Sequence, residues 1–405
     1  MANTAFTPVI IGANIHAYAA AASFHEDYQK KSIVVAAGKL AFTELSSLTE
    51  AYIIEPELYQ DEVFIRTLNE IAEKYGQQKL LLVATTDEYV KLLIKHSDSI
   101  SERFILNFPS QELFDQFYYK KHFYQLCEQY GLDIPKTFTI DCHELTTFHE
   151  EVMFPVIIKV NDGTAYFDLH FPGKQKIYRL TSYDEVNQTI KLLYDNGYRK
   201  NLILQEYIEG NDQELWDMVY YSDRNGKGQV VTLAQVLSQE PQLTAVGNYT
   251  ALITRYQKEL MDKAVRMMED TGYKGFANFD LKYDARNGKF KFLEVNLRAG
   301  RSSSYVRESG YSIARCYVED LIEHKSHPLV YLDKKVIFTV IPPALILQGI
   351  SSSELKEEVR GLIKQGRTFN PLKYKKDRSL KRKIYLKLRD MNYFKKYRNR
   401  EWEQS

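Results

Sequence analysis

The stretch that decides the fold is GFANFDLKYDARNGKFKFLEVNLRAGRSS, residues 275–303. It contains two segments in which apolar residues alternate with polar ones, joined by a turn that ends in Gly288. This pattern predicts a β-hairpin. We expect a three-residue loop, Arg286 to Gly288, with Gly288 in the left-handed conformation and Ala285 opposite Lys289.

Side-chain alternation gives this hairpin one apolar and one polar face. In the expected pairing, Asp280 lies opposite Glu294 and Asn278 lies opposite Asn296, whereas the apolar side chains share the other face. A two-residue loop would instead place Asp280 opposite Val295 and mix carboxylates with apolar partners. The hydrophobic pattern therefore favours the loop of odd length and a polar face that carries Asp280, Glu294 and Asn296.

Two carboxylates that face each other across a hairpin need a partner. Their Cβ atoms would lie roughly 4.5–5.5 Å apart, so Asp280 and Glu294 repel unless a cation lies between them or one is protonated. Mg²⁺ prefers oxygen ligands and usually connects one or two carboxylates to substrate phosphates. The sequence therefore predicts a magnesium site at Asp280, Glu294 and Asn296. The alternative is a solvent-facing strand surface in which Glu294 pairs with Lys282 or Arg298.

Three lysines are candidates for contact with a phosphate chain. Lys159 comes near the end of an apolar run, PVIIKV, where an unpaired buried cation is costly, so we expect it to point to a bound anion. Lys120 and Lys121 lie on a predicted helix and are weaker candidates, because a solvated helix face would also explain them.

The strand end LQEYIEGND, residues 204–212, is a weak candidate for a nucleoside site. Backbone groups beside Tyr207 and Ile208 could meet an adenine edge, with Glu209 or Asp212 near a ribose. Many ordinary strand-to-turn junctions would look the same.

The segment after the hairpin is dense in hydrogen-bond donors: Arg298, Gly300, Arg301 and Ser302 to Ser304. Arginines and backbone amides beside a magnesium site suit the stabilisation of a phosphorylated carboxylate and its tetrahedral adduct. Alternatively, either arginine forms a structural pair with Glu294 or Glu308.

The remaining pattern predicts an α/β fold. Residues 6–24 predict a strand, a turn at Gly12 and a small-residue helix, and the alternation continues to about residue 112. Gly12 is either a packing turn or part of a loop that touches a ligand. Beyond this domain we expect a helix over Ser110 to Tyr130 and further elements as follows: buried strands at Phe154 to Val160 and Asn201 to Ile208, and helices near Asp184 to Asn196 and Gln257 to Thr271.

Composition predicts a globular, intracellular protein. No segment has the roughly 20 apolar residues of a membrane span, and the N-terminus lacks the layout of a secretory signal. Three separated cysteines (Cys127, Cys142 and Cys316) suggest neither disulfides nor a zinc site. From Lys364 onward, fifteen Lys and Arg residues stand against four Asp and Glu. This basic tail either attracts an anionic substrate, membrane or nucleic acid, or simply docks on the body; no nucleic-acid motif accompanies it.

The motifs quoted above resemble the ATP-grasp superfamily, in order and approximate spacing. Within it, the chain is similar to the D-aspartate ligases of Gram-positive bacteria over nearly its whole length, from IIGANIHAYAAAASF to KDRSLKR. The resemblance implies four parts: a Rossmann-like pre-ATP-grasp domain (residues 1–112), two ATP-grasp subdomains (113–205 and 206–330) and a basic C-terminal extension (331–405). The loop after Lys159 offers only Gly163 and Gly173, and residues 162–166 differ from the family pattern.

The resemblance also implies roles for individual residues. Lys120 and Lys159 would contact ATP phosphates, and Asp212 the ribose. Magnesium would bind Asp280, Glu294 and Asn296, and Arg298, with Arg301 and Ser302 beside it, would stabilise an acyl-phosphate. The adenine would meet the stretch Gln205, Glu206, Tyr207 and Ile208.

The implied activity is an ATP-dependent ligase that joins a small amino acid, D-aspartate or similar, to the lysine side chain of an anionic peptidoglycan precursor. The location expected is cytoplasmic, with peripheral contact of the tail at an anionic membrane as one option and without nucleic acid as a partner. The alternatives are a ligase for small dipeptides, a non-catalytic ATP-binding protein and a nucleic-acid-binding protein led by its tail.

Overall fold

The computed structural model describes residues 6–75, 77–160, 166, 169–175, 177–242, 245 and 247–398. The chain forms two compact units. The first comprises Met1–Leu132, Asn211–Leu281 and Glu294–Ser405, and the second comprises Asp133–Gly210 and Lys282–Leu293. The predicted division into four parts is finer than these two units and stays a prediction. Gly163 and all of the stretch 162–166 except Tyr166 lie outside the described residues.

The chain begins with a parallel sheet and its helices. The strands are β1 (Phe6–Ile11), β2 (Ser32–Ala36), β3 (Thr49–Ile54), β4 (Lys79–Ala84) and β5 (Phe104–Ile105), and the helices are α1 (Ile15–Tyr28), α2 (Ala41–Glu44), α3 (Asp61–Lys74) and α4 (Asp87–Lys95). The strand order is β3-β2-β1-β4-β5. Gly12 has a φ of +116°, and a Cβ there would lie 2.0 Å from Thr85 Oγ1. The turn after β1 therefore needs glycine for close packing.

The single helix predicted over Ser110 to Tyr130 is wrong. The structure has two helices, α5 (Gln111–Tyr118) and α6 (Lys120–Gln129), separated at Tyr119, whose φ of −82° and ψ of 117° are extended. Apolar residues keep their helical spacing through the break, so the pattern could not reveal it. The break makes Lys120 the first residue of α6.

The second unit contains a four-stranded antiparallel sheet and one described helix. The strands are β6 (Thr137–Ile140), β7 (Val156–Val160), β8 (Ile177–Leu180) and β9 (Leu202–Glu206), and the helix is α7 (Tyr183–Asp195). They are arranged in the order β6-β9-β7-β8. Ile158, Leu204 and Ile190 are fully buried in this core. The predicted apolar strands and the helix between them are confirmed to within a few residues.

A larger sheet follows. Its strands are β10 (Leu215–Ser222), β11 (Gly228–Gln239), β12 (Tyr249–Arg255), β13 (Gly275–Asp284), β14 (Lys289–Asn296), β15 (Val330–Tyr331), β16 (Ile337–Thr339) and β17 (Thr368–Phe369). The order is β14-β13-β10-β11-β12-β16-β17, and β15 pairs with β11. The helices along this part of the chain are α8 (Lys258–Asp270), α9 (Ile313–Leu321), α10 (Pro343–Ile346), α11 (Ser353–Lys364) and α12 (Leu380–Arg398).

The predicted β13–β14 hairpin forms, but its loop has an even number of residues, so the pairing of Asp280 with Glu294 that rested on a three-residue loop stays a prediction. Four residues, Ala285 to Gly288, separate the two strands, so the predicted three-residue loop is wrong. The Gly288 amide donates to the Asp284 carbonyl over 2.9 Å, and Gly288 has the expected left-handed φ of +71°. The backbone of this four-residue turn thus provides a hydrogen-bond donor for the carbonyl of Asp284, the last residue of β13.

The basic C-terminal segment is packed within the first unit, of which it is a part. One face of α12 is buried through Arg382, Leu386, Tyr393 and Tyr397. Just before this helix, the buried Asp377 carboxylate accepts hydrogen bonds from both Ser46 and Ser47 and forms an ion pair with Arg382 over 3.4 Å. In the described part of the chain, no helix has the length and apolar character that a membrane crossing requires.

We expect Asp377→Asn to lower the free energy of unfolding at pH 7 by about 3 kcal/mol, because Arg382 would stay buried without its charged partner. Burial raises the pKa of Asp377, but the hydrogen bonds from Ser46 and Ser47 outweigh it and leave the pKa below its usual value. The stabilisation by the charged Asp377 carboxylate is therefore fully present above the unfolded-state pKa of about 4. It is lost as the pH falls through the pKa of Asp377 in the folded protein, which is lower.

Urea unfolding at pH 7 and pH 3 measures this effect, and the destabilisation should be smaller at pH 3. The control is Asp390→Asn, whose partner Lys373 is half exposed and whose loss should cost less than about 1 kcal/mol. Equal destabilisation by Asp377→Asn at both pH values would contradict the assignment.

Candidate active site

The polar face of the β13–β14 hairpin brings the predicted metal ligands into one region of the first unit. Asn296 Nδ2 lies 3.3 Å from Asp280 Oδ2 and 3.4 Å from the Asn278 carbonyl. Glu294 forms an ion pair with Lys120, with Nζ 2.9 Å from Oε2. Although burial lowers the pKa of Lys120, the Glu294 carboxylate outweighs this and raises it above its ordinary value. The structure thus links Lys120 to the predicted metal site.

The electrostatics of this region suit a bound cation. Burial, together with the charges of Glu294 and Asp217, raises the pKa of Asp280 well above its ordinary value. A divalent cation would relieve this repulsion. No group of three or more His, Cys, Asp or Glu side chains that could hold a metal occurs among the described residues. The predicted site would therefore consist of two carboxylates and the amide of Asn296, all hard oxygen donors of the kind that Mg²⁺ accepts.

Arg298 is held by a carboxylate that the sequence did not indicate. Its Nη2 atom lies 3.0 Å from Asp87 Oδ2 and 3.1 Å from Asn296 Oδ1. Asp87 is the first residue of α4, and its Oδ1 accepts the Leu297 amide over 3.1 Å. An acidic residue in the first turn of a helix is common for local reasons, so nothing near Asp87 in the sequence signals this second partner.

Arg301 is connected to the C-terminal helix. Its Nη1 lies 3.1 Å from Glu240 Oε1, and the Tyr393 hydroxyl donates to the same oxygen over 2.6 Å. Arg389 Nη2 in turn donates to the Tyr393 hydroxyl over 3.1 Å. The sequence suggested Glu294 or Glu308 as structural partners for either arginine, whereas the described partners are Asp87 and Glu240. Residues of α12 therefore belong to the network that positions Arg301.

Ser302 is engaged with a buried carboxylate. Its hydroxyl donates to Asp217 Oδ2 over 2.9 Å, and Asn278 Nδ2 donates to the same oxygen over 2.6 Å. The Tyr305 hydroxyl donates to Asp217 Oδ1 over 2.8 Å. Burial raises the pKa of Asp217, while these hydrogen bonds favour its charged form. The described contact of Ser302 is thus structural, and its catalytic role stays a prediction.

Gly300 makes room for this network. A Cβ at residue 300 would lie 1.8 Å from Asn278 Oδ1 and 2.9 Å from Asn278 Cγ. Real Cβ atoms never approach another atom so closely, so any side chain here would displace Asn278. The glycine of the motif LRAGRSS is therefore required by the hydrogen bond between Asn278 and Asp217.

A cavity of about 690 Å³ opens beside Arg301 in the first unit. Its lining includes His16 and Asn14 from the start of α1 and Arg389 and Lys396 from α12. Burial lowers the pKa of His16 well below its ordinary value, and the charges of Arg298 and Arg301 add to this. His16 Nδ1 lies 3.1 Å from the Thr85 carbonyl, which can only accept. Burial and the two arginines thus favour the neutral ring, and the carbonyl acceptor favours the tautomer with its hydrogen on Nδ1.

The predicted nucleotide residues on the second unit also cluster. Lys159 Nζ lies 3.4 Å from Gln205 Oε1, on the neighbouring strands β7 and β9. The Tyr207 ring is covered by the Arg179 guanidinium, 4.5 Å from the ring centroid. Glu206 pairs with Arg286, and Ile208 is buried.

The predicted ribose ligand, Asp212, lies in the first unit, where its carboxylate is hydrogen-bonded to Gln239. Its carboxylate accepts both the backbone amide of Gln239, over 3.1 Å, and the Gln239 side chain, over 2.8 Å. Its ribose role stays a prediction.

Two sequence comparisons bear on this arrangement. The model of the carbamoyl-phosphate synthase L chain ATP-binding domain matches residues 239–319. The D-aspartate ligase of Enterococcus faecium (strain Aus0004) is 32% identical over 98% of this chain and 97% of its own length. The chain belongs to the D-aspartate ligase family. As a member of this family, it is an ATP-dependent ligase of the ATP-grasp type.

Solved structures agree with the ATP-grasp fold. Biotin carboxylase from Campylobacter jejuni, solved as a complex with β-γ-ATP, has a TM-score of 0.60 at 15% identity and covers 82% of this chain and 74% of its own. An L-amino acid ligase from Bacillus licheniformis has a TM-score of 0.54 at 14% identity, with 78% and 74% covered. These likenesses confirm the predicted fold of this D-aspartate ligase family member.

We expect Gly300→Ala to lower the free energy of unfolding by about 2–3 kcal/mol, because Asn278 must leave the buried Asp217 carboxylate. Urea unfolding tests this. The matched control is Gly361→Ala in α11, where a Cβ meets nothing within 4 Å and where helix propensity predicts a gain of up to about 1 kcal/mol. If Gly300→Ala were as stable as the wild type, the close contact of residue 300 with Asn278 and the hydrogen bond from Asn278 to Asp217 would be contradicted.

Proposed function

We propose that this ligase joins the carboxylate of a small amino acid, D-aspartate or similar, to the side-chain amine of lysine in a peptidoglycan precursor. The observation that supports it is the cluster of Asp280, Asn296 and Glu294 beside Arg298, in a chain 32% identical to a D-aspartate ligase over nearly its whole length. Activation of a carboxylate by ATP needs both parts of this cluster. The oxygen ligands would hold the metal ion, and the positioned guanidinium of Arg298 would stabilise charge on the acyl group.

Asp280, Glu294 and Asn296 are proposed to hold magnesium. Bound magnesium would neutralise charge on the transferring phosphoryl group. Lys120, already drawn to this region by Glu294, would add a compact positive charge at the phosphates.

On the second unit, Lys159 is proposed to contact phosphate. The stretch Gln205, Glu206, Tyr207 and Ile208 is proposed to contact adenine. The ribose contact of Asp212 would require it to share its carboxylate with Gln239.

The proposed reaction has two steps. A carboxylate oxygen of the amino acid attacks the γ-phosphorus of ATP, and ADP leaves as the acyl-phosphate forms. The acceptor amine then attacks the acyl carbon, loses a proton and expels phosphate. Arg298 and Arg301 are proposed to stabilise the oxyanion of the second step. Their ion pairs with Asp87 and Glu240 fix the guanidinium groups before substrate arrives, which lowers the reorganisation needed at reaction.

The cavity beside Arg301 is proposed to receive the acceptor. Its basic side chains, Arg301, Arg389 and Lys396, suit the anionic groups of a peptidoglycan precursor. The neutral His16 ring offers Nε2 as an acceptor for the hydrogens of an incoming amine.

ADP release in the presence of magnesium tests the proposed activity. Single amino acids are scanned with a lysine-containing, UDP-linked stem peptide, and we expect release only when one suitable amino acid and the peptide are both present. Asp280→Asn should reduce the rate by about a hundredfold or more, since it removes a charged oxygen ligand. The control is Asp284→Asn on the same strand, whose carboxylate pairs with Arg286 instead.

The same experiment separates the rival ligase. ADP release with two free amino acids, and none with the stem peptide, would favour a dipeptide-forming enzyme. An Asp280→Asn enzyme as active as the wild type would overturn the proposed metal site.

Tyr393→Phe tests the contribution of α12 to the site. Loss of the charge-assisted hydrogen bond to Glu240 should leave Arg301 less fixed and reduce kcat/KM for the acceptor by about tenfold. We expect little change in the KM for ATP. The matched control is Tyr397→Phe, a buried tyrosine on the same helix whose hydroxyl bonds to Thr250 instead, over 3.0 Å. Equal effects of both substitutions on acceptor kinetics would indicate general destabilisation of α12.

A further inference from the structure

The outward side of α12 carries an exposed apolar stripe, of which only Leu388, within the described residues, also lines the cavity beside Arg301. Five large side chains are exposed there, with relative exposures between 40% and 70%: Leu380, Ile384, Leu388, Met391 and Phe394. Their spacing of three or four residues places them along one side of the helix, over a length of about 20 Å. We call this stripe the outer face of α12.

The helix is already anchored through its opposite side. Arg382, Leu386, Tyr393 and Tyr397 are buried within the first unit, and the Tyr397 hydroxyl lies 3.0 Å from Thr250 Oγ1. Packing of the helix on the fold is therefore complete without the outer face. An exposed apolar surface of this size on a docked helix commonly marks an interaction site.

The exposed charges of α12 beside the outer face have one sign. Five exposed basic residues lie beside or between the apolar side chains: Lys381, Lys383, Lys387, Lys395 and Arg398. The acidic residue in the described part of this helix, Asp390, is turned away and pairs with Lys373 over 2.8 Å. The surface is therefore apolar along its centre and cationic at its edges.

We propose that the outer face of α12 docks on an anionic lipid bilayer. A helix of this kind lies in the interface plane, where apolar side chains enter the boundary between headgroups and acyl chains and lysines contact lipid phosphates. The long lysine side chains can reach the headgroups while their stems cover apolar surface. A nucleic acid would satisfy the charges but leave the apolar stripe in water. The occupant that matches both parts of the surface is an acidic membrane.

The proposal rests on surface chemistry alone and is independent of the ligase reaction. It can be tested by co-sedimentation of the full chain with vesicles, in the absence of substrates. One vesicle is pure phosphatidylcholine, and the other is an equal mixture of phosphatidylcholine and phosphatidylglycerol. We expect binding to the mixed vesicles alone, and a decrease at high salt as the charges are screened.

Ile384→Glu combined with Met391→Glu should weaken binding to the mixed vesicles by about tenfold or more, since two charges replace apolar groups at the interface. The matched control is Leu145→Glu with Met153→Glu, two exposed apolar residues of the second unit. Lys383→Gln, Lys387→Gln and Lys395→Gln together should weaken binding as well, without removing apolar surface. Thermal unfolding followed by circular dichroism shows whether each variant is folded.

Three results would overturn the proposal. The first is equal binding of the wild type to both vesicle types, or to neither. The second is equal loss of binding in the α12 variant and in the control. The third is self-association of the wild type, measured by sedimentation velocity, that the α12 variant abolishes, because the outer face would then contact a second copy of the chain. If the α12 variant still releases ADP as the wild type does, failure of the membrane-docking proposal would leave the proposed ligase activity unaffected.

Discussion

The buried carboxylate of Asp217 is the interaction on which the candidate site depends. It joins β10 to β13 through Asn278 and to the segment after β14 through Ser302 and Tyr305. A buried carboxylate is tolerated only when such hydrogen bonds replace its hydration, so the three donors are held in place as strictly as the acid itself. The positions of Gly300, Arg298 and Arg301 depend on this arrangement, because these residues lie in the segment that Ser302 and Tyr305 anchor.

A second consequence concerns charge. Asp217 lies close enough to Asp280 to contribute to the raised pKa of that carboxyl. The Asp280 carboxylate is therefore close to two other negative charges, those of Asp217 and Glu294. Lys120, which pairs with Glu294, and Arg298, whose charge lowers the pKa of Asp280, offset part of this negative charge. The positive charges are therefore positioned before any anionic substrate binds, which is the condition for effective electrostatic stabilisation.

The sequence predicted what depends on local pattern. Alternation in residues 275–303 identified the hairpin and the polar face on which Asn296 contacts Asp280, and apolar runs identified β7 and β9. The pattern missed the break at Tyr119, because the apolar spacing continues through it, and it gave a loop one residue too short. It could not indicate Asp87, Asp217, Glu240 or His16. Each of these acts on a partner more than sixty residues away, and each looks locally like an ordinary polar residue.

Asp377 has a consequence for the route by which the chain folds. Its hydrogen bond with Tyr18 joins residues 359 positions apart, and the first unit is assembled from three chain segments interrupted by the second. Contacts of such high sequence separation require closure of long loops before they contribute any stability. The second unit, whose sheet comes from one continuous stretch, can form early. The first unit is complete only when its last segment has packed, so its contacts of high sequence separation favour folding in steps.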